Sequence, residues 1–201
     1  MERQNEGNEF WMHVSPLLTR VLDDPENPDL INQIDTVVKE SCDYDWEYGP
    51  SKTERFYFCL SPAGQEKYIE EIDDIILHAP KLEGWEFKSC KPRKEEILSF
   101  FILNEREEEI LIHTEKWKCV MHRFKDQTVD LDVMVDEVNG DSDTKYYALD
   151  IHLTNLLGER NYLRIVKNLK IVSEFSEKDV SMAFAVNDLF DHLKRLYSLT
   201  P

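Results

Sequence analysis

Glycine is scarce: six residues in 201, too scattered to build a loop that cradles phosphate. The chain has no G-x-G-x-x-G, no Walker A sequence, no H-E-x-x-H and no G-x-S-x-G. The common signatures of dinucleotide binding, phosphoryl transfer, zinc proteolysis and nucleophile-elbow hydrolysis are therefore missing. Cysteine is sparse as well. Cys42, Cys59, Cys90 and Cys119 form no C-x-x-C pair and no zinc-spaced cluster with histidine. Cys59 and Cys119 fall inside apolar alternations, where a thiol acts as a small hydrophobe, so reduced core thiols are expected. The six histidines, at 13, 78, 113, 122, 152 and 192, lack metal-like spacing, and packing or solvent accounts for His152 and His192 on their helices. No cofactor is expected.

Long apolar runs are absent too. Runs such as Phe100–Leu103 are far too short to span a bilayer. The segment Met1–Phe10 is polar and acidic, the opposite of a secretory signal. The expectation is a cytoplasmic protein with no membrane partner.

What the chain has in excess is acid. Forty-one Asp and Glu face 24 Lys and Arg, for a formal charge of −17 and a pI near 4.7. Such a field repels nucleic acid and favours basic partners. With 41% hydrophobic and 11% aromatic residues the chain can build a core, and at this length one fold buries roughly 70% of its extended surface. No glycine- or serine-rich linker divides it. A single domain over 1–201 is expected, with the helical segment 1–41 packed on it.

Periodicity supplies the elements. Helices are expected at Phe10–Leu22, where Pro16 starts or kinks the helix, and at Asp29–Glu40 with Asp29 as cap. Thr53–Ser61 alternates like a strand. Gln65–Ala79 is an amphipathic helix stopped by Pro80 and Gly84, and Trp85–Cys90 returns as a strand. Ile97–Leu103 and Glu109–Ile112 are short apolar runs around the turn Asn104–Glu108. Lys116–Phe124 and Thr128–Val138 form a hairpin. A turn at Asn139–Asp143 leads into helix Thr144–Leu157, with Gly158 expected as its left-handed helical cap. Tyr162–Val172 is a final strand and Val186–Tyr197 a closing helix. No repeat of 20–50 residues is visible. The fold class is α+β: a mostly antiparallel sheet with helices mainly on one face.

The hairpin allows a sharper inference. A turn centred on Asp126 pairs Phe124 with Thr128 and sets Trp117, Cys119 and Met121 opposite Val135, Val133 and Leu131 on the core face. A one-residue slip would invert one arm. On the other face His122 lies opposite Asp130, with Lys118 near Asp132 and Asp136.

Between Lys125 and Lys145 there are seven acids and no base: Asp126, Asp130, Asp132, Asp136, Glu137, Asp141 and Asp143. Aligning Gly140 with the glycine of an EF-hand loop puts Val135 and Tyr146 at liganding positions, so that calcium motif fails. A solvated face for lysine and arginine side chains is the better reading. A second acidic run, Glu40–Glu47, carries Trp46 and Tyr48 as candidate aromatic anchors, and a third covers Glu105–Glu109. The main basic patch is Lys88, Lys91, Arg93 and Lys94, expected to serve as an internal partner for the acid.

The stretch Ala79-Pro80-Lys81-Leu82-Glu83-Gly84-Trp85-Glu86-Phe87 with Lys91-Pro92-Arg93, and Leu156-Leu157-Gly158-Glu159 later, resembles a pattern in small uncharacterised bacterial proteins. The resemblance implies a bacterial source and an α+β domain, and supplies no activity.

The expected function is a non-enzymatic acidic binding protein, such as an immunity-type inhibitor of a basic toxin, with Asp126, Asp130, Asp132, Asp136, Glu137, Asp141, Asp143, Trp46 and Tyr48 as partner-binding residues. The alternative is a small hydrolase, metal-dependent or using His122 with Asp130 and Asp132.

Overall fold

The computed structural model describes residues 2–41, 44–95, 97–103, 107–138, 140–197 and 199, with side chains from residue 9 onward. Cys42, Asp43, Asn104, Glu105 and Asn139, which belong to readings above, lie outside the described residues. The chain is α+β. Where one domain is expected over 1–201, it divides into two compact units, Met1–Lys91 and Pro92–Pro201.

In the first unit, α1 (Glu2–Asp23) and α2 (Pro28–Ser41) precede a three-stranded sheet. Helix α1 continues through Pro16. That proline is exposed, so the carbonyl that loses its helical donor one turn earlier sits on the wet side. The cap of α2 is Asn27 rather than Asp29. Its Oδ1 accepts from the amides of Asp29 (3.0 Å) and Leu30 (3.3 Å), and Pro28 occupies the first helical position, which needs no donor.

Strand β1 (Asp45–Pro50) pairs antiparallel with β2 (Phe56–Ser61), which pairs parallel with β3 (Trp85–Ser89) through α3 (Ile69–Leu77). Phe10, Trp11, Val14 and Leu18 meet Leu30, Ile34, Val38, Phe58, Leu60, Ile72 and Trp85 in the core. Two indoles are satisfied as they are buried: Trp11 Nε1 donates to Ile75 O (2.8 Å) and Trp85 Nε1 to Leu18 O (3.1 Å).

In the second unit, β4 (Ser99–Leu103) and β5 (Glu109–His113) form their own antiparallel pair. A four-stranded sheet follows in the order β8-β7-β6-β9, from β6 (Lys118–Arg123), β7 (Val129–Met134), β8 (Val166–Ile171) and β9 (Phe184–Ala185). Helices α4 (Ser142–Leu157) and α5 (Glu159–Ile165) connect β7 to its parallel neighbour β8, and α6 (Leu189–Leu196) closes the chain. Trp117, Leu131, Val133, Leu149, Leu153, Leu157, Leu189 and Leu193 fill the core.

Two expectations need correction here. Tyr162–Val172 is not one strand: its first four residues finish α5, and the strand starts at Val166. Gly158 ends α4 with φ 76° and ψ 139°. That backbone is open to glycine and turns the chain at once into a new helix instead of an extended segment.

A shared connectivity also emerges. In each unit an antiparallel hairpin (β1–β2, β6–β7) is followed by helix and a strand parallel to the second arm (β3, β8).

Candidate functional site

The β6–β7 hairpin has the register that its alternation dictates. Cys119 faces Val133, Met121 faces Leu131 and His122 faces Asp130. Phe124 N donates to Thr128 O at 3.0 Å across the turn, where Gln127 takes the positive φ of 69°. Trp117, Cys119, Val129, Leu131 and Val133 are all buried. The even-numbered face is more open, although Val120 on it is buried.

The seven acids do not gather at one point. A strand advances about 3.3 Å per residue, so Asp126 at the turn and Asp136 past the far end stand roughly 30 Å apart. Asp126 belongs to its turn: one carboxylate oxygen accepts from the Thr128 hydroxyl (2.7 Å) and amide (3.1 Å), which holds its pKa below the usual range. Asp141 caps α4 by accepting from the amide and hydroxyl of Thr144, both at 2.9 Å, and its pKa is lowered by those bonds. Asp143 sits in the first turn of the same helix, where negative charge is favoured.

Mid-sheet, Asp130 Oδ1 accepts from Asn168 Nδ2 (2.8 Å), and Asp132 Oδ2 lies 3.2 Å from His122 Nε2. Asp136 accepts from the Glu137 amide (3.0 Å), while its backbone carbonyl takes the Trp117 indole N–H (3.0 Å). Glu137 is ion-paired with Lys116. Among the described residues it is the one member of the seven bonded to a lysine or arginine. The other six have no lysine or arginine bonded to them among the described residues, although Lys167 and Lys116 lie near enough to Asp126 and Asp136 to interact through charge.

Trp46 and Tyr48 are half-buried on β1 and committed within their own unit. Trp46 stacks on Phe58 with ring centroids 5.7 Å apart and donates to Asp35 (3.3 Å). The Tyr48 hydroxyl donates to Pro25 O at 2.5 Å.

Charge is also unevenly distributed. Unit Met1–Lys91 holds 20 acids against 9 bases, and Pro92–Pro201 holds 21 against 15. The 126–143 cluster therefore lies in the less acidic half, and bulk charge alone does not point to it. Among the described residues no group of three or more His, Cys, Asp and Glu side chains could hold a metal ion, and no helix is long and apolar enough to cross a membrane.

Two features went unread in the sequence. The outer face of β4–β5 exposes Phe101 (63%), Leu103 (59%) and Leu111 (44%), with Phe101 and Leu111 paired across the strands and the exposed Glu107, Glu108 and Glu109 beside them. Phe100, Ile102, Ile110 and Ile112 supply the inward face.

The other is a cavity of about 150 Å³ lined by Arg93, Lys94, Ile97, Leu98, His152, Leu156 and Asn187. His152 is 1% exposed, and neither ring nitrogen has a hydrogen-bond partner among the described residues. Burial pulls its pKa down to about 4; Asn187 is near enough to oppose this but does not form a regular bond. The ring stays neutral, edge-on to Trp117 at 5.3 Å and parallel to Phe100 at 6.3 Å. The one sequence signal was its place on the buried stripe with Leu149, Leu153 and Leu156.

Comparison with family models, curated proteins and solved structures finds no match for this chain.

Proposed function

We propose that this protein is a non-enzymatic binding protein that offers carboxylates of its second unit to a basic protein partner, in the manner of an immunity-type inhibitor of a cationic toxin. The observation that carries the reading is the state of the 126–143 acids. Their strand neighbours Val129, Leu131 and Val133 are buried, while Asp130, Asp132, Asp136 and Asp143 have no lysine or arginine bonded to them among the described residues. Charges left uncompensated at a surface speed capture of an opposite charge and set orientation. The exposed Phe101–Leu111 pair beside Glu107–Glu109 adds the apolar centre and acidic rim that protein interfaces use. A cytoplasmic setting is part of the proposal, and the buried, unpaired thiol of Cys119 suits it.

The hydrolase reading draws on the 3.2 Å His122–Asp132 contact. Those side chains are 40% and 27% exposed, on an open sheet face rather than in a water-excluding cleft, which favours binding over chemistry.

Capture from a cell extract on immobilised protein, followed by salt elution, tests the proposal. The expected result is a basic protein released as sodium chloride rises from 50 to 300 mM. Capture of neutral or acidic proteins alone, or retention indifferent to salt, would overturn it.

A further inference from the structure

We propose that the cavity around His152 is a binding site for a small monocarboxylate, separate from any protein-binding surface.

Size sets the first limit. A cavity of about 150 Å³ accepts a molecule of roughly benzene's size. Chemistry sets the second. Ile97, Leu98 and Leu156 form apolar walls, and the polar lining is Arg93, Lys94, His152 and Asn187. In a chain with 41 acids to 24 bases, none of the described lining residues is acidic. The site therefore selects for an anion with an apolar body.

His152 is the observation that points to a ligand. A neutral imidazole carries one donor and one acceptor, and burying both without partners is costly unless something in the cavity meets them. A carboxylate oxygen can accept the ring N–H while a second oxygen faces Arg93. The Arg93 guanidinium is placed for that task. Its Nε donates to Leu156 O (3.0 Å), its plane lies over the Phe190 ring at 3.8 Å, and the carboxylate of Glu95 is 3.8 Å away. That last distance is too long for a hydrogen bond, so terminal N–H groups remain for a carboxylate.

The backbone fixes the wall as well. A Cβ at Gly158 would meet Arg93 N at 3.2 Å, so glycine lets the Arg93 segment sit directly against the end of α4.

The test uses the full chain and a matched pair of probes, benzoate and benzamide, by isothermal titration and saturation-transfer NMR. Benzoate is expected to bind saturably and at least tenfold more tightly than benzamide. The substitution His152→Phe keeps an aromatic ring between Trp117 and Phe100 and removes the N–H; it is expected to weaken benzoate binding at least tenfold. Arg93→Lys, which keeps the charge but not the fork, should weaken it as well and guards against a folding defect in the first variant. Equal binding of the two probes, or no benzoate binding at millimolar concentration because the cavity holds only water, would overturn the proposal. So would folded variants that bind benzoate as the native chain does.

Discussion

His122 reaches past its direct cross-strand neighbour. Asp130 is its ladder partner, yet His122 Nε2 lies 3.2 Å from Asp132, two pairs further along. Asp130 instead accepts from Asn168 on the parallel neighbour β8, at 2.8 Å.

Being half open to solvent, the His122–Asp132 contact should contribute little to stability. A double-mutant cycle with His122→Ala and Asp132→Ala, followed by urea denaturation, should give a coupling below about 1 kcal/mol. A coupling of several kcal/mol would mean that the pair is far better shielded than its 40% and 27% side-chain exposure implies.

Gly158 should tolerate no side chain. With φ at 76° and Arg93 N 3.2 Å from where a Cβ would stand, Gly158→Ala combines backbone strain with a steric shift. A loss of about 1–3 kcal/mol is expected from the urea midpoint. An unchanged midpoint would contradict the tight approach of the two segments.

His152 gives the second unit a pH dependence. Its folded pKa, lowered to about 4 by burial, lies below the ordinary value near 6.5. The unfolded chain therefore binds the extra proton first. The contribution is fully present above pH 6.5 and is lost as pH falls toward 4, by up to about 3 kcal/mol. Chemical denaturation at pH 7.0, 5.5 and 4.5 should show His152→Phe losing less stability than the native chain. Parallel pH profiles for the two would contradict a neutral buried imidazole.

Cys119 should be chemically silent. Burial, with a smaller contribution from Asp188, pushes its thiol up to about 12, so almost no thiolate exists at pH 8. Iodoacetamide labelling followed by peptide mapping should modify Cys119 only in denaturant. Rapid labelling of the folded protein would show that β6 opens readily.

What the sequence disclosed depended on how local each signal was. The β6–β7 register was legible because Trp117, Cys119 and Met121 have to meet Val135, Val133 and Leu131 on one face. Strand β1 was not: Asp45–Pro50 mixes acid, aromatics, glycine and proline, and its residues are only half-buried at a sheet edge. The parallel partners β3 and β8 are set by helical crossovers, which leave no mark on strand alternation. Helix α5 hid because its apolar residues run straight into β8. The cavity draws on 93–98, 152–156 and 187, three segments that only the fold brings together. Nor does sequence reveal that Asp35 and Pro25 take the polar atoms of Trp46 and Tyr48.

Under the proposed function, position rather than total charge makes the acid effective. Two variants with equal net charge separate these: Asp130→Asn, Asp132→Asn, Asp136→Asn and Asp143→Asn together, against Asp23→Asn, Asp24→Asn, Glu26→Gln and Asp29→Asn around the α1–α2 loop. Affinity for the captured basic partner at 100 mM salt is the measurement. At least a tenfold loss is expected for the first set and a minor change for the second. Equal losses, or a larger loss from the loop set, would contradict a position-specific role for the acids.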